Sequence, residues 1–138
     1  MEAKELRLGN WIDSGSNTPS QVIGVYETSD EHGDVMVVNS DKGICYETEV
    51  NPIELTEDWF VKWGAQHDHK SKGAQHSFFT LKINEEYRFT WQLKDRYIVL
   101  HEKGVGVIMG LKHITQVHQF QNLVFTLTGK ELQLIKSK

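Results

Sequence analysis

Between His113 and Leu134 the chain reads HITQVHQFQNLVFTLTGKELQL, the one stretch where helical periodicity, a start and a stop all agree. At 100° per residue, Val117, Phe120, Leu123, Val124 and Leu127 fall within about a third of the circumference, which gives a helix with a single core face. Gly129 stands where a left-handed residue ends a helix, so the helix is expected to stop near Thr128. Glu131 to Ile135 alternates polar and apolar residues and is expected to form a short closing strand. Most of what remains is short strand-like runs, and a sheet with one apolar face needs cover; the helix is read as that cover.

A chain of 138 residues suits one ordinary domain or two small lobes. With 38% hydrophobic and 25% charged residues it has the composition of a folded globular protein. No apolar run approaches the ~18 residues of a membrane span. The opening MEAKELRLGN lacks the apolar region of a secretory signal, and the one cysteine, Cys45, has no internal partner for a disulfide; the cytoplasm is the expected location. Charge is divided unevenly. Residues 1–64 hold four Lys/Arg against thirteen Asp/Glu, a net of −9, and residues 65–138 hold eleven against six, a net of +5. The basic half either faces an anionic partner or attracts the acidic half of the same chain.

In the N-terminal half, Glu5 to Asp13 reads as a first strand bent at Gly9-Asn10, followed by a Ser/Gly/Asn/Pro-rich loop. Gln21–Thr28, Val35–Val38 and Ile44–Thr48 read as further strands. So many short strands in about fifty residues predict a small bent sheet or SH3-like barrel, with an isolated meander as the competing arrangement. Thr56 to Trp63 is expected to be a short helix: Thr56 is a good N-cap, Glu57 and Asp58 suit the first turn, and Gly64 closes it. Trp59, Phe60 and Trp63 are read as core. Gly64 to Ser77 is polar, contains GAQH twice, and is read as a loop and as the hinge between the halves. From Ser77 the pattern is β: Ser77–Ile83, then Tyr87, Phe89, Trp91 and Leu93 alternating with Arg88, Thr90, Gln92 and Lys94, then Tyr97–His101 and Val105–Met109. The fold class is therefore α+β: an N-terminal β-unit over 1–55, then 56–138 as a helix and an antiparallel sheet of three or four strands packed by the C-terminal helix. The two parts are either separate or one continuous domain.

Three constellations carry candidate chemistry. His67, His69 and His76 lie in the polar loop, and an HxH pair on an extended segment can direct both imidazoles the same way, toward zinc or nickel. No second ligand cluster or supporting carboxylates accompany them, so a His-rich solvated loop is the simpler reading and no cofactor is expected. On the helix, His118, Gln121, Asn122 and Phe125 form a stripe beside the core face. It is either a binding patch or a rim of side chains bonded to neighbouring loops. As an exposed patch it would tolerate His118→Ala with Asn122→Ala; as buried hydrogen bonders the pair would not. Finally, Lys82, Arg88, Lys94 and Arg96 offer a basic face to a phosphate backbone, although solvated faces alternate with apolar ones in most half-buried sheets. Cys45 has no local histidine to activate it. No phosphate-cradling glycine loop, dinucleotide fingerprint or serine elbow is present, so an enzyme is not expected.

The stretches ELRLGNW (5–11), NPIELTEDWFVKWG (51–64) and VHQFQNLVFTLTGKEL (117–132) resemble three blocks of a family of small Bacteroidetes proteins, many in phage or prophage contexts. The matching positions are Gly9, Asn10 and Trp11; Leu55, Thr56, Glu57, Trp59, Lys62 and Gly64; and Val117, His118, Gln119, Gln121, Asn122, Leu123, Leu127, Thr128 and Gly129. The chain departs at Phe120, where the family has leucine, at Val124, where it has an aromatic, and in the His-rich loop, which is not a feature of the family. The family has no established activity, so the resemblance implies context and not chemistry. The function expected is a non-enzymatic accessory module acting through an unidentified protein partner. The alternatives are a nucleic-acid-associated protein using the basic half and a metal-binding protein. No membrane contact is expected.

Overall fold

The computed structural model describes residues 5–15, 19–30, 33–68, 78–92 and 96–135. The fold is α+β, with nine strands in two antiparallel sheets and two α-helices among the described residues. The chain divides into two compact units, Met1–Glu54 with Gln116–Asn122, and Leu55–Thr115 with Leu123–Lys138. Sequence placed the hinge at 64–77 and the domain boundary at 55/56; by contacts the chain first changes unit between Glu54 and Leu55, and one segment near the C-terminus belongs with the first unit. Among the described residues no helix is long and apolar enough to cross a membrane.

The first unit is a meander of β1 (Trp11–Asp13), β2 (Pro19–Asp30), β3 (Gly33–Ser40) and β4 (Gly43–Tyr46). Its register sets Val25, Val38 and Cys45 side by side, and on the opposite face Tyr26, Val37 and Tyr46. The first row belongs to a core of Leu6, Ile12, Val22, Val38, Cys45 and Val50, with Val25 and Met36 packed against it. A register shift between Val22 and Gly24 bends β2. Beyond β4 a 3-10 turn, Glu47–Glu49, carries the chain back to β1, where Asp13 and Asn51 exchange backbone hydrogen bonds of 2.9 and 2.8 Å. The sheet thereby curls into a half-barrel.

Glu5 to Asn10, expected as the first half of a bent strand, is a turn. Gly9 takes φ +93°, a backbone open mainly to glycine, and the turn hangs on β2 through Gly9 N–H to Val22 O at 2.7 Å and Val22 N–H to Asn10 O at 2.9 Å.

The second unit begins with α1 (Glu57–Lys62). Thr56 has the extended backbone of an N-cap, but its side chain makes no capping hydrogen bond. The C-terminus follows the expectation closely. Gly64 takes φ +96°, its N–H donates to Val61 O at 3.0 Å, and Ala65 N–H donates to Phe60 O at 2.8 Å, the paired bonds of a Schellman motif. Phe60 is fully buried and stacks at 5.3 Å on Trp91 and at 5.8 Å edge-on to Trp63.

The sheet of this unit has five strands in sequence order: β5 (Gln66–Asp68), β6 (Phe78–Lys82), β7 (Tyr87–Gln92), β8 (Tyr97–Glu102) and β9 (Gly106–Leu111). β5 lies inside the segment read as a loop; residues 69–77 fall outside the described ones. Register separates two faces. Phe79, Trp91, Ile98 and Leu111 form one apolar row, and Leu81, Phe89, Leu100 and Met109 the next. The other face is polar, with Thr80 beside Thr90 and Lys82 beside Arg88 and His101.

α2 (Val117–Thr128) ends where predicted. Gly129 takes φ +72° and its N–H donates to Phe125 O at 2.7 Å. Residues 117–122 belong to the first unit, where Val117 and Phe120 are fully buried and Val117 N–H donates to Ile53 O at 2.8 Å. Residues 123–128 belong to the second. The closing strand expected over Glu131–Ile135 does not form. Instead Ile135 N–H donates to Lys62 O at 2.8 Å, at the end of α1.

Candidate functional site

The helical stripe is divided between the units: His118, Gln121 and Asn122 lie in the first and Phe125 in the second. His118 and Gln121 are each only 1% exposed, so the expected patch is not available as a surface. The physical reason is a second set of contacts beside the core face of α2. Gln121 Oε1 accepts from Trp11 N–H at 2.8 Å, and its Nε2 donates to Gly9 O at 3.1 Å. Asn122 Oδ1 accepts from Arg7 Nε and Asn10 Nδ2, both at 2.9 Å, and its Nδ2 donates to Glu5 O at 2.9 Å. Two consecutive amides on α2 thus grip the Glu5–Trp11 turn. Asn10 holds the turn from within, its Oδ1 accepting from Arg7 N–H at 2.6 Å.

His118 differs from its neighbours. Neither ring nitrogen has a hydrogen-bond partner among the described residues. Burial pushes its pKa below the ordinary value, outweighing the opposing pull of the Glu5 carboxylate. Phe125 is 38% exposed at the far end of the stripe.

The metal candidates are not assembled. His67 stands in β5, paired in register with Phe79, while His69 and His76 lie outside the described residues. Among the described residues no three His, Cys, Asp or Glu side chains group as a metal site. Cys45 is buried, its Sγ 3.7 Å from Val38 O, and burial followed by Glu49 raises its pKa, the opposite of an activated thiol.

The basic set is brought together only in part. Lys82 and Arg88 are cross-strand partners. Arg96 stands beyond the other end of β7, with Arg88 and Gln92 alone separated by roughly 13 Å of strand, and its Nε lies 3.7 Å from Glu57 Oε1. Lys94 is outside the described residues. Arg96 takes φ +54° in its turn.

Two features of the second unit were not singled out in the sequence. One is a groove of about 660 Å³ on the polar face of the sheet, whose lining includes Gln66, Thr80, Lys82, Arg88 and His101. Thr90, 3% exposed, bonds to His101 Nε2 at 3.1 Å and accepts from Gln92 Nε2 at 3.0 Å, which fixes the imidazole. Burial lowers the pKa of His101, and Arg88 opposite adds to the effect.

The other is β9, an edge strand on which Val107 and Met109 are 64% and 49% exposed, with Val105 just before it 66% exposed. Lys103 and Lys112 flank this apolar run. Alternation marks β9 as a strand, but only sheet order makes it an edge. No protein-family model, curated protein or solved structure matches the chain.

Proposed function

We propose that this protein is a non-enzymatic accessory module of phage or mobile-element type, acting by protein contact, and that its contact surface is the outer edge of β9. The observation that carries the reading is the combination of unpaired strand edge and exposed apolar side chains at Val105, Val107 and Met109. Edge strands of soluble proteins are ordinarily blunted by charge, proline, cover or a bulge; this one has a register shift against β8 at Val107–Met109, but no charged residue or proline between Lys103 and Lys112. An extended partner segment adding a strand would gain main-chain hydrogen bonds and bury those side chains. Charge selects the partner. The second unit contains twelve Lys/Arg and eight Asp/Glu, a net of +4, so an extended segment alternating apolar and acidic residues is complementary.

The test is an affinity pulldown with the wild-type chain and with Val107→Lys/Met109→Lys, each with and without nuclease. Proteins that survive nuclease and are lost with the double-lysine variant support strand addition. Retention by the variant, or recovery that depends on nucleic acid, refutes it. A contact made mainly by apolar groups and backbone also keeps most of its affinity between 50 and 200 mM salt, whereas phosphate-backbone binding falls steeply.

A further inference from the structure

We propose that the polar face of the second sheet is a binding site for a phosphate monoester, with Lys82, Arg88 and His101 holding the phosphoryl group. The three residues come from three adjacent strands and occupy one cross-strand row, Lys82 beside Arg88 and Arg88 beside His101, at the floor of the groove. A row of this kind sets neighbouring Cβ atoms about 5 Å apart, so the long side chains of Lys82 and Arg88 can meet one tetrahedral oxyanion beside the His101 ring.

The chemistry of the donors is complementary. Arg88 offers a planar fork and makes no ion pair among the described residues. Lys82 is a mobile point charge whose only ion-pair partner among the described residues is Glu85 at 3.4 Å, with both side chains largely exposed; such a pair exchanges readily for a stronger anion. His101 is anchored through Nε2 to Thr90, and its Nδ1 makes no hydrogen bond among the described residues. The Thr90 bond survives either protonation state, because the hydroxyl can donate to a neutral ring or accept from a charged one.

The groups facing His101 decide how binding couples to protons. Arg88 and Lys82 lie along its row, Glu85 and Glu86 lie in the turn just before β7, Glu102 and Lys103 follow on its own chain, and Val107 is its partner on β9. The cations share its row, and three carboxylates, Glu85, Glu86 and Glu102, also line the groove. An anion seated on the row offsets the Arg88 charge felt by the imidazole, so binding draws a proton onto His101.

Volume distinguishes ester from free ion. A groove of about 660 Å³ is in the range of small-molecule sites and far larger than one inorganic phosphate requires.

The experiment is NMR on the full chain, following backbone amides and histidine rings on addition of AMP, glycerol phosphate or inorganic phosphate. Expected are shifts concentrated at Thr80, Lys82, Arg88 and His101, an ester affinity above that of the inorganic ion, and a loss of about ten-fold or more in Arg88→Gln and in His101→Gln. Arg96→Gln serves as the control and keeps its affinity. In sulfate, whose charge is constant over the range, the His101 titration midpoint rises in wild type and not in Arg88→Gln. Shifts as large at Arg96 and His113 as in the groove, or undiminished binding by Arg88→Gln with its spectrum otherwise intact, overturn the site. Inorganic phosphate binding as tightly as either ester overturns the assignment to a monoester.

Discussion

Replacing Gln121 by alanine is the sharpest probe of how the first unit is held together. Its side chain is 1% exposed and makes two hydrogen bonds, from Trp11 N–H at 2.8 Å and to Gly9 O at 3.1 Å. The orientation of the amide is forced, because turning it over would set donor against donor and acceptor against acceptor. The two bonds are not equivalent once the side chain is gone. Gly9 O retains a second donor, Gln21 Nε2 at 3.1 Å, so losing Gln121 costs there about 1 kcal/mol, the net worth of one bond. Trp11 N–H points away from β2 and loses its acceptor, a penalty of about 1–3 kcal/mol. One buried methylene adds about 0.8 kcal/mol, and the side-chain entropy no longer lost on folding returns about 1–2 kcal/mol. The expected destabilisation is about 1–4 kcal/mol, the lower end applying if water reaches the Trp11 amide. Urea unfolding followed by circular dichroism gives the global value. Native-state hydrogen exchange at the Trp11 amide gives the local one, which does not depend on the two units unfolding together. A loss under about 1 kcal/mol with unchanged Trp11 protection would refute the latch.

Three further outcomes follow from the same structure. The double variant His118→Ala/Asn122→Ala is expected to lose more than about 2 kcal/mol in urea, since it removes three side-chain hydrogen bonds and a buried ring; near-wild-type stability would restore the stripe as a surface. Burial lowers the folded pKa of His118, so the unfolded chain binds the extra proton first: stability is complete above the ordinary value of 6.5 and is lost as pH falls below it, at up to about 1.4 kcal/mol per pH unit. His101 contributes with the same sign, and His118→Leu, which removes the more buried ring, should flatten most of the slope in a pH series of thermal melts. Gly129→Ala is expected to cost about 1 kcal/mol from backbone strain alone, because a Cβ there meets nothing within 4 Å. Gly64→Ala should cost more, since its Cβ would lie 3.2 Å from Ile135 Cγ2; equal losses in paired melts would argue that Ile135 gives way freely.

What could be read in the sequence was whatever depends on local pattern. Gly129 and Gly64 end their helices as read, and the Tyr87–Gln92 alternation fixes which face of the second sheet is apolar. β5 was missed because Gln66-His67-Asp68 has no strand signature of its own; it becomes a strand by pairing with β6. Leu132 and Leu134 alternate convincingly, yet the chain's backbone bond there goes to the end of α1, a choice no periodicity contains. Lys82 and Arg88 were singled out by charge, but His101 joins them only through register, since His101 is thirteen positions beyond Arg88 in sequence and beside it in the sheet. For Gln121 and Asn122 the sequence leaves open a binding patch or a rim bonded to neighbouring loops; the rim is what forms, but which loop it holds is not legible. A buried amide is invisible to periodicity unless its backbone partner is known.

That partner explains why two of the three quoted stretches have the residues they do. Side chains at consecutive helical positions diverge by about 100°, so Gln121 and Asn122 reach opposite sides of one turn. Gln121 takes Gly9 O and Trp11 N–H, while Asn122 takes Glu5 O, Arg7 and Asn10. Gly9 supplies the positive φ and Asn10 the internal bond that shape the turn to fit. In ELRLGNW and VHQFQN, then, glycine and amides serve the architecture of the first unit, however much they look like a functional signature. A chain that kept them and lost Val107 and Met109, or Arg88 and His101, should fold unchanged and fail to bind. One that kept the edge and the groove but lost Gln121 should fail first in the fold. The two kinds of variant separate the residues that build this protein from those that give it something to do.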